Sequence, residues 1–160
     1  MTGGVGTWWG HYIRNSHYAD GGRDLPGVDC YGLARAIYET ELGITLPAWP
    51  KLRLDDIAEQ AGSLLDSSFT GAFKAVQTGL EEAFDMAVIR RPLPVNNRLV
   101  KGWWHLGVVT RPAHILHMNE NQGAIETCFR DTAQALASAT LREGDVRLFR
   151  HPLRSGGGSC

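Results

Sequence analysis

The sequence predicts an α+β domain in which N-terminal helices pack on an antiparallel sheet. Helical periodicity occupies the early part of the chain, while β-rich runs gather after residue 85. A hairpin signature around Arg111-Pro112 makes the sheet antiparallel. With 160 residues, 43% apolar and 21% charged, the chain can build one core and is too short for two ordinary domains. Residues 1–154 are assigned to that domain and residues 155–160, Ser-Gly-Gly-Gly-Ser-Cys, to a flexible tail.

Taken in order, Thr7-Trp8-Trp9-Gly10-His11-Tyr12-Ile13 is an aromatic segment suited to a first helix turn that packs its rings on the core. Asn15 to Gly27 is dense in turn formers and reads as a loop. It feeds into the clearest helix, which starts in Gly27-Val28-Asp29-Cys30-Tyr31-Gly32-Leu33-Ala34. Leu33, Ala34, Ile37, Tyr38 and Leu42 recur at helical spacing, Arg35 and Glu39 form an i,i+4 pair on another face, and Gly43 is a natural terminator. The free N–H groups and positive dipole end of a first helical turn favour a thiolate, so Cys30 stands where a nucleophile would be placed. A small buried core residue also fits this position.

Past Gly43, Ile44-Thr45-Leu46-Pro47 and Trp49-Pro50 read as extended chain, because a residue before proline is pushed out of the helical region. Asp55 or Asp56 is suited to cap a helix running to about Leu65, and Phe69 to Phe84 is ambiguous. Met86-Ala87-Val88-Ile89 reads as a short buried strand, and Pro92 to Gly102, with two prolines and Asn96-Asn97, as an exposed loop. Gly123 to Phe129 and Asp145 to Arg150 are further strands, with a short helix from Asp131 to about Ser138 between them.

The second informative stretch runs from Trp103 to Met118, two β-rich runs flanking Arg111-Pro112. Period two puts His105, Gly107 and Val109 on one face and Trp104, Leu106 and Val108 on the other. With a three-residue loop, Thr110 to Pro112, His105 stands directly opposite His117, close enough for the imidazoles to hydrogen-bond. His117 then orients His105, and His105 takes a proton from a nucleophile; histidines as polar edges of a half-buried sheet are the other reading. A metal site is disfavoured, since His114 and His117 face opposite sides of one strand. Cysteine at a helix start with a distant strand histidine and a second polar partner is an arrangement that activates a thiolate against an amide.

Net charge of −1 and pI near 6.6, with no basic run, argue against nucleic acid as a partner. Cys30, Cys128 and Cys160 make neither a disulfide framework nor a CxxC pair and fit a reducing compartment. Cys128 sits in an apolar context that suits packing, and Cys160 has no base beside it. No apolar run is long enough for membrane insertion by a helix. The first residues have neither the basic nor the apolar region of a signal peptide, so action outside the cytoplasm implies delivery by something else.

Four separated motifs resemble the NlpC/p60 cysteine peptidases. They are Tyr18-x-x-Gly21-Gly22, Gly27-x-Asp29-Cys30-x-Gly32-Leu33, His105-x-Gly107-Val108, and His117 twelve residues after His105. The phage tail-associated members are the most similar, through Gly21 to Asp24, Asp29 to Leu33 and Leu42 to Pro47. The resemblance covers roughly residues 8–50 and 85–128 and implies a papain-like NlpC/p60 fold, with Cys30 as nucleophile, His105 as general base and His117 as the residue holding its tautomer. It implies Tyr18 as an oxyanion donor beside the nucleophile's own N–H, and Asp29 as a contact for a substrate amine, although a helix cap explains Asp29 as well. Tyr31 replaces the usual serine and so reshapes the substrate-binding pocket beside the nucleophile, while Asp85-Met86 replaces Gly-Asp in a structural change.

By this resemblance the substrate is a peptidoglycan stem peptide, cut at the γ-D-glutamyl to diamino-acid bond without metal or cofactor. The protein would be a phage tail-tip component, made in the host cytoplasm, carried in the virion and bound to other tail-tip or hub proteins. A structural tail-hub or tail-plug protein with weak or no catalysis, and a thiol acyltransferase acting on lipid or amine acceptors, are the alternatives.

Overall fold

The computed structural model describes residues 6–46, 73–130 and 143–155. The helices expected at Asp55 to Leu65 and Asp131 to Ser138, and Cys160 with most of the tail, lie outside these residues.

Helix α1, Trp8–Asn15, begins at Thr7, whose hydroxyl accepts the Gly10 N–H at 3.3 Å. Trp8 stacks on Phe84 at 4.5 Å and meets Trp9 and Tyr12 edge-on, so the aromatic segment does pack its rings inward. The stretch read as a loop is instead a small sheet of two-residue strands: β1 (His17–Tyr18), β2 (Arg23–Asp24) and β3 (Gly27–Val28). Central β3 runs parallel to β1 and antiparallel to β2. Turn-forming residues suit both a loop and strands this short, so composition alone does not separate them.

Helix α2, Cys30–Ile37, passes into a π-helical turn, Tyr38–Leu42, that stops at Gly43 with φ of 66°. The terminator is where spacing put it. The Arg35–Glu39 pair is not among the ion pairs of the described residues, and Arg35 Nε is buried without a partner. Widening of the helix from Tyr38 takes i,i+4 side chains out of alignment.

The larger sheet has the order β4-β9-β5-β6-β7-β8, antiparallel throughout. Its strands are β4 (Lys74–Val76), β5 (Met86–Val95), β6 (Arg98–Arg111), β7 (His114–Asn119), β8 (Gly123–Cys128) and β9 (Val146–Arg150). This confirms the α+β class, with helices on an antiparallel sheet. Pro92 to Gly102 is not a loop: β5 and β6 run on as a two-stranded ribbon to a turn at Asn96 and Asn97, whose φ values are 48° and 64°. Among the described residues β5 pairs with β9 at Met86–Ile89 and beyond that has β6 alone, so prolines are tolerated on its open side.

One sheet face presents Met86, Val88, Leu106, Val108, Leu116 and Met118 to α1 and α2; the other packs Ala87, Ile89, Val109, Ile115 and Leu148 against Phe129. The alternation expected for β6 is therefore seen. Each fully buried aliphatic side chain contributes about 2 kcal/mol. Asp85, fully buried, accepts from Arg150 at 2.8 Å through both oxygens and from the Glu82 N–H at 2.8 Å, which fixes the entry to β5.

Candidate active site

Cys30 is the first residue of α2, and Asp29 is its cap, accepting the Gly32 N–H at 2.8 Å. The chain enters this helix through β3, held on both sides by β1 and β2. Glycines are sterically required here. The Gly22 carbonyl accepts the Asp29 N–H at 3.1 Å and occupies the space beside Gly32, where an added Cβ would lie 2.2 Å from that oxygen. A Cβ on Gly22 would meet the Gly27 carbonyl at 2.3 Å. The glycines of this motif thus let three backbone segments touch.

Cys30 is half-buried, and its thiol is pushed up to about 12, first by burial and then by the Asp29 carboxylate. The Leu106 backbone, the Arg23 guanidinium and the Tyr31 backbone act in the opposite direction and are outweighed. The expectation of a resting thiolate is corrected on this point: an anionic cap already occupies the helix start, and burial disfavours a second charge. Cys30 rests as a thiol.

The histidines come together, though not by direct opposition. β6 and β7 pair Gly107 with His117 and Val109 with Ile115, and a bulge follows before Arg111 meets His114. The turn sits one step further along than a Thr110–Pro112 loop, at Ala113 with φ of 69°. His105 and His117 are therefore diagonal neighbours, two residues out of register. An even shift keeps both on one face, and His105 Nε2 lies 2.9 Å from His117 Nδ1 with the rings edge-to-face. Beyond it, His117 Nε2 lies 2.9 Å from Thr127 Oγ1.

Burial, His117 and Arg91 hold His105 well below the ordinary imidazole range; burial and Arg91 bring His117 down to about 4. Both rings are neutral near pH 7. If His105 donates from Nε2 to His117, and His117 donates from Nε2 to Thr127, His105 Nδ1 is left as the acceptor.

Helix α2 packs on β6 and β7, and Cys30 meets β6 through the Leu106 backbone, one residue from His105. The hydrogen bonds of the described residues join the two histidines and Thr127; they do not join Cys30 to either ring. Tyr18, in β1, pairs with Val28 at the entry to α2. Burial, then Asp20, Glu120, Asp29 and Cys30, push its hydroxyl up to about 12, so it remains a neutral donor, with a 3.5 Å contact to Asp20 among the described residues.

Asp29 has both oxygens engaged: Oδ1 with the Gly32 N–H and Oδ2 with Arg23 Nη1 at 2.5 Å. Tyr31 lies in the core at 3% exposure, its ring 5.2 Å from the Arg23 guanidinium, so it is not at an open pocket wall. Cys128 is buried opposite His114, away from the histidine pair, and no group of three or more metal-binding side chains occurs among the described residues. Sequence reasoning missed Thr127, although β7 and β8 join through a three-residue turn, Glu120 to Gln122, closed by Gly123 at φ of 82°, a hairpin signal that would have placed Thr127 near His117. Arg23 it saw as part of a turn and of the Gly21 to Asp24 resemblance, with no role of its own.

Fold and site together define an α+β domain with a cysteine at the start of a helix and a buried histidine pair on the sheet that this helix packs against. Among solved structures the chain is similar to the crystal structure of the NlpC/p60 domain of the peptidoglycan hydrolase SagA. The two are 16% identical, with 86% of this chain and 89% of that chain covered, at a TM-score of 0.49. No family model matches the chain, and no curated protein does.

Proposed function

We propose that the chain is a cysteine peptidase that hydrolyses amide bonds of peptidoglycan stem peptides. The observation that carries this reading is the Cys30 helix start packed on β6, which with β7 and β8 supplies the His105–His117–Thr127 chain. The four NlpC/p60-like motifs, in order along the sequence, support the same reading.

Because thiol and imidazole are both neutral at rest, proton transfer accompanies attack and does not precede it. The Cys30 proton passes to His105 as sulfur bonds to the amide carbonyl, and the oxygen becomes anionic. The Cys30 N–H and the Tyr18 hydroxyl are the donors for that oxygen. The C–N bond then breaks with the proton returned to the leaving amine, and water, deprotonated by His105, cleaves the thioester. His117, anchored on Thr127, holds the base in its acceptor form.

The bond proposed is the one between γ-D-glutamate and the diamino acid. The setting proposed is a phage tail tip carried in the virion beside other tail or hub proteins, supported by the similarity of Gly21–Asp24, Asp29–Leu33 and Leu42–Pro47 to tail-associated members. A structural tail protein with weak catalysis is the second reading, favoured by a thiol pushed up to about 12.

Purified peptidoglycan digested with the wild type and with Cys30→Ala, its fragments read by mass spectrometry, tests the proposal. New amines on the diamino acid, formed by the wild type alone, are expected. Identical digests from the two proteins would overturn the peptidase and leave the structural reading.

A further inference from the structure

Arg23 enters neither the four motifs nor the chemistry above, yet it is among the most buried charges near Cys30. Its side chain is 10% exposed and that of Asp29 11%, with Nη1 2.5 Å from Asp29 Oδ2. The same nitrogen lies 3.2 Å from the Gly22 carbonyl, the oxygen that also receives the Asp29 N–H and fills the space beside Gly32. Its guanidinium lies 5.2 Å from the Tyr31 ring centroid, while Nε and Nη2 are buried without partners. One cation thus touches the cap before the nucleophile, the ring after it and the turn beneath both.

We propose that Arg23 is a positioning residue for Cys30: it locks Asp29 as the cap of α2 and offsets part of that carboxylate's charge, so the anion beside the thiol is already held by a cation. Asp29 is well placed to cap, but an ionised carboxylate next to a thiol opposes ionisation. A buried cation at 2.5 Å lets the cap stay while reducing the opposition. Arginine suits the place because its planar group pairs with a carboxylate along one edge and lies over a ring with its face. The charged and titratable groups around Cys30 are Asp29 before α2, Arg23 on β2 and Tyr18 on β1, with Glu120 acting on Tyr18. The histidines stand on β6 and β7, and both rings are neutral.

The inference rests on reading Cys30 as the nucleophile, and its test reads the thiol itself, so it keeps its meaning whether or not peptidoglycan is cut. Iodoacetamide alkylation of the intact protein is followed on the Cys30 peptide by mass spectrometry, from pH 6 to 10. Arg23→Gln is expected to slow alkylation about tenfold, as an upward shift of one pH unit in the profile. Arg23→Lys, which keeps the charge without the fork, should fall between.

The deciding variant is Arg23→Gln with Asp29→Asn, since asparagine caps a helix as well as aspartate. Recovery to within about threefold of the wild-type rate supports charge compensation. A double variant as slow as Arg23→Gln, at unchanged melting temperature, would overturn it. If Arg23→Gln fails to fold, comparison of Asp29→Asn with wild type decides: with the carboxylate gone the unopposed Arg23 cation should accelerate alkylation about tenfold, and an unchanged rate would refute the offset.

Discussion

The two halves of the candidate site are built differently. The Cys30 side is a nest of backbone contacts and charges: three two-residue strands, a capped helix start, and glycines at positions 22 and 32 where a Cβ would meet a carbonyl. The histidine side is a ladder, with β6, β7 and β8 in register and His105 2% exposed on a sheet with apolar clusters on both faces. A nest sets electrostatics through one or two neighbours and is easily retuned. A ladder sets geometry through many residues and keeps two imidazoles neutral by burying them.

The sharpest way to break the comparison is at the sulfur. Cys30→Ala should remove at least a thousandfold of any peptidoglycan hydrolysis while moving stability by under about 1 kcal/mol, because the group is small and half-buried. His105→Ala should cost about a hundredfold or more in rate but, unlike Cys30→Ala, should also lower the melting temperature, since it empties a buried ladder position. Equal stability losses in the two variants would remove the contrast.

Acid should act on the ladder first. His117 titrates at about 4 in the fold against about 6.5 unfolded, so between these values the unfolded chain holds a proton that the fold does not. Stability is then complete above pH 6.5 and falls as pH drops, by about 3 kcal/mol once pH passes 4. Urea unfolding at pH 4.5 and 7.5 measures the loss, and His117→Gln should flatten it. A smaller effect separates the glycines: Gly32→Ala presses a Cβ to 2.2 Å from a backbone oxygen, whereas Gly107→Ala meets first the Ile115 methyl at 2.2 Å, a movable group. Thermal melting should show the first costing more than about 3 kcal/mol and the second 1 to 3, about the cost of overpacking. Least of all, Thr127→Val should reduce turnover about fivefold by releasing the far ring of the chain.

Much of the site was legible before any coordinates. The helix from Cys30 to Gly43, its cap at Asp29 and the alternation of β6 follow from spacing and residue type. The histidine contact was legible for an incomplete reason: direct opposition was assumed, the register is two residues away, and the expectation survives because an even shift preserves the face. Neither the bulge after Val109 nor the left-handed Ala113 leaves a trace in composition. Prolines 92 and 94 suggested a loop because their missing N–H groups weaken a central strand, and the ribbon has an open side where that weakness is harmless. The thiolate expectation failed because the helix end was considered without the burial of the thiol, the larger effect, and without the charge of its cap.

The ribbon divides the chemistry as well as the sheet. Its turn at Asn96 and Asn97 falls between the segment bearing Cys30 and the segment bearing His105 and His117. A nick between those two asparagines would give two pieces, neither holding both Cys30 and the histidine pair. Each would carry one strand of the paired ribbon, Met86 to Val95 against Arg98 to Val108. On the proposed reading the chain would be a two-component catalyst joined by a hairpin, and mixing the fragments should restore what each lacks.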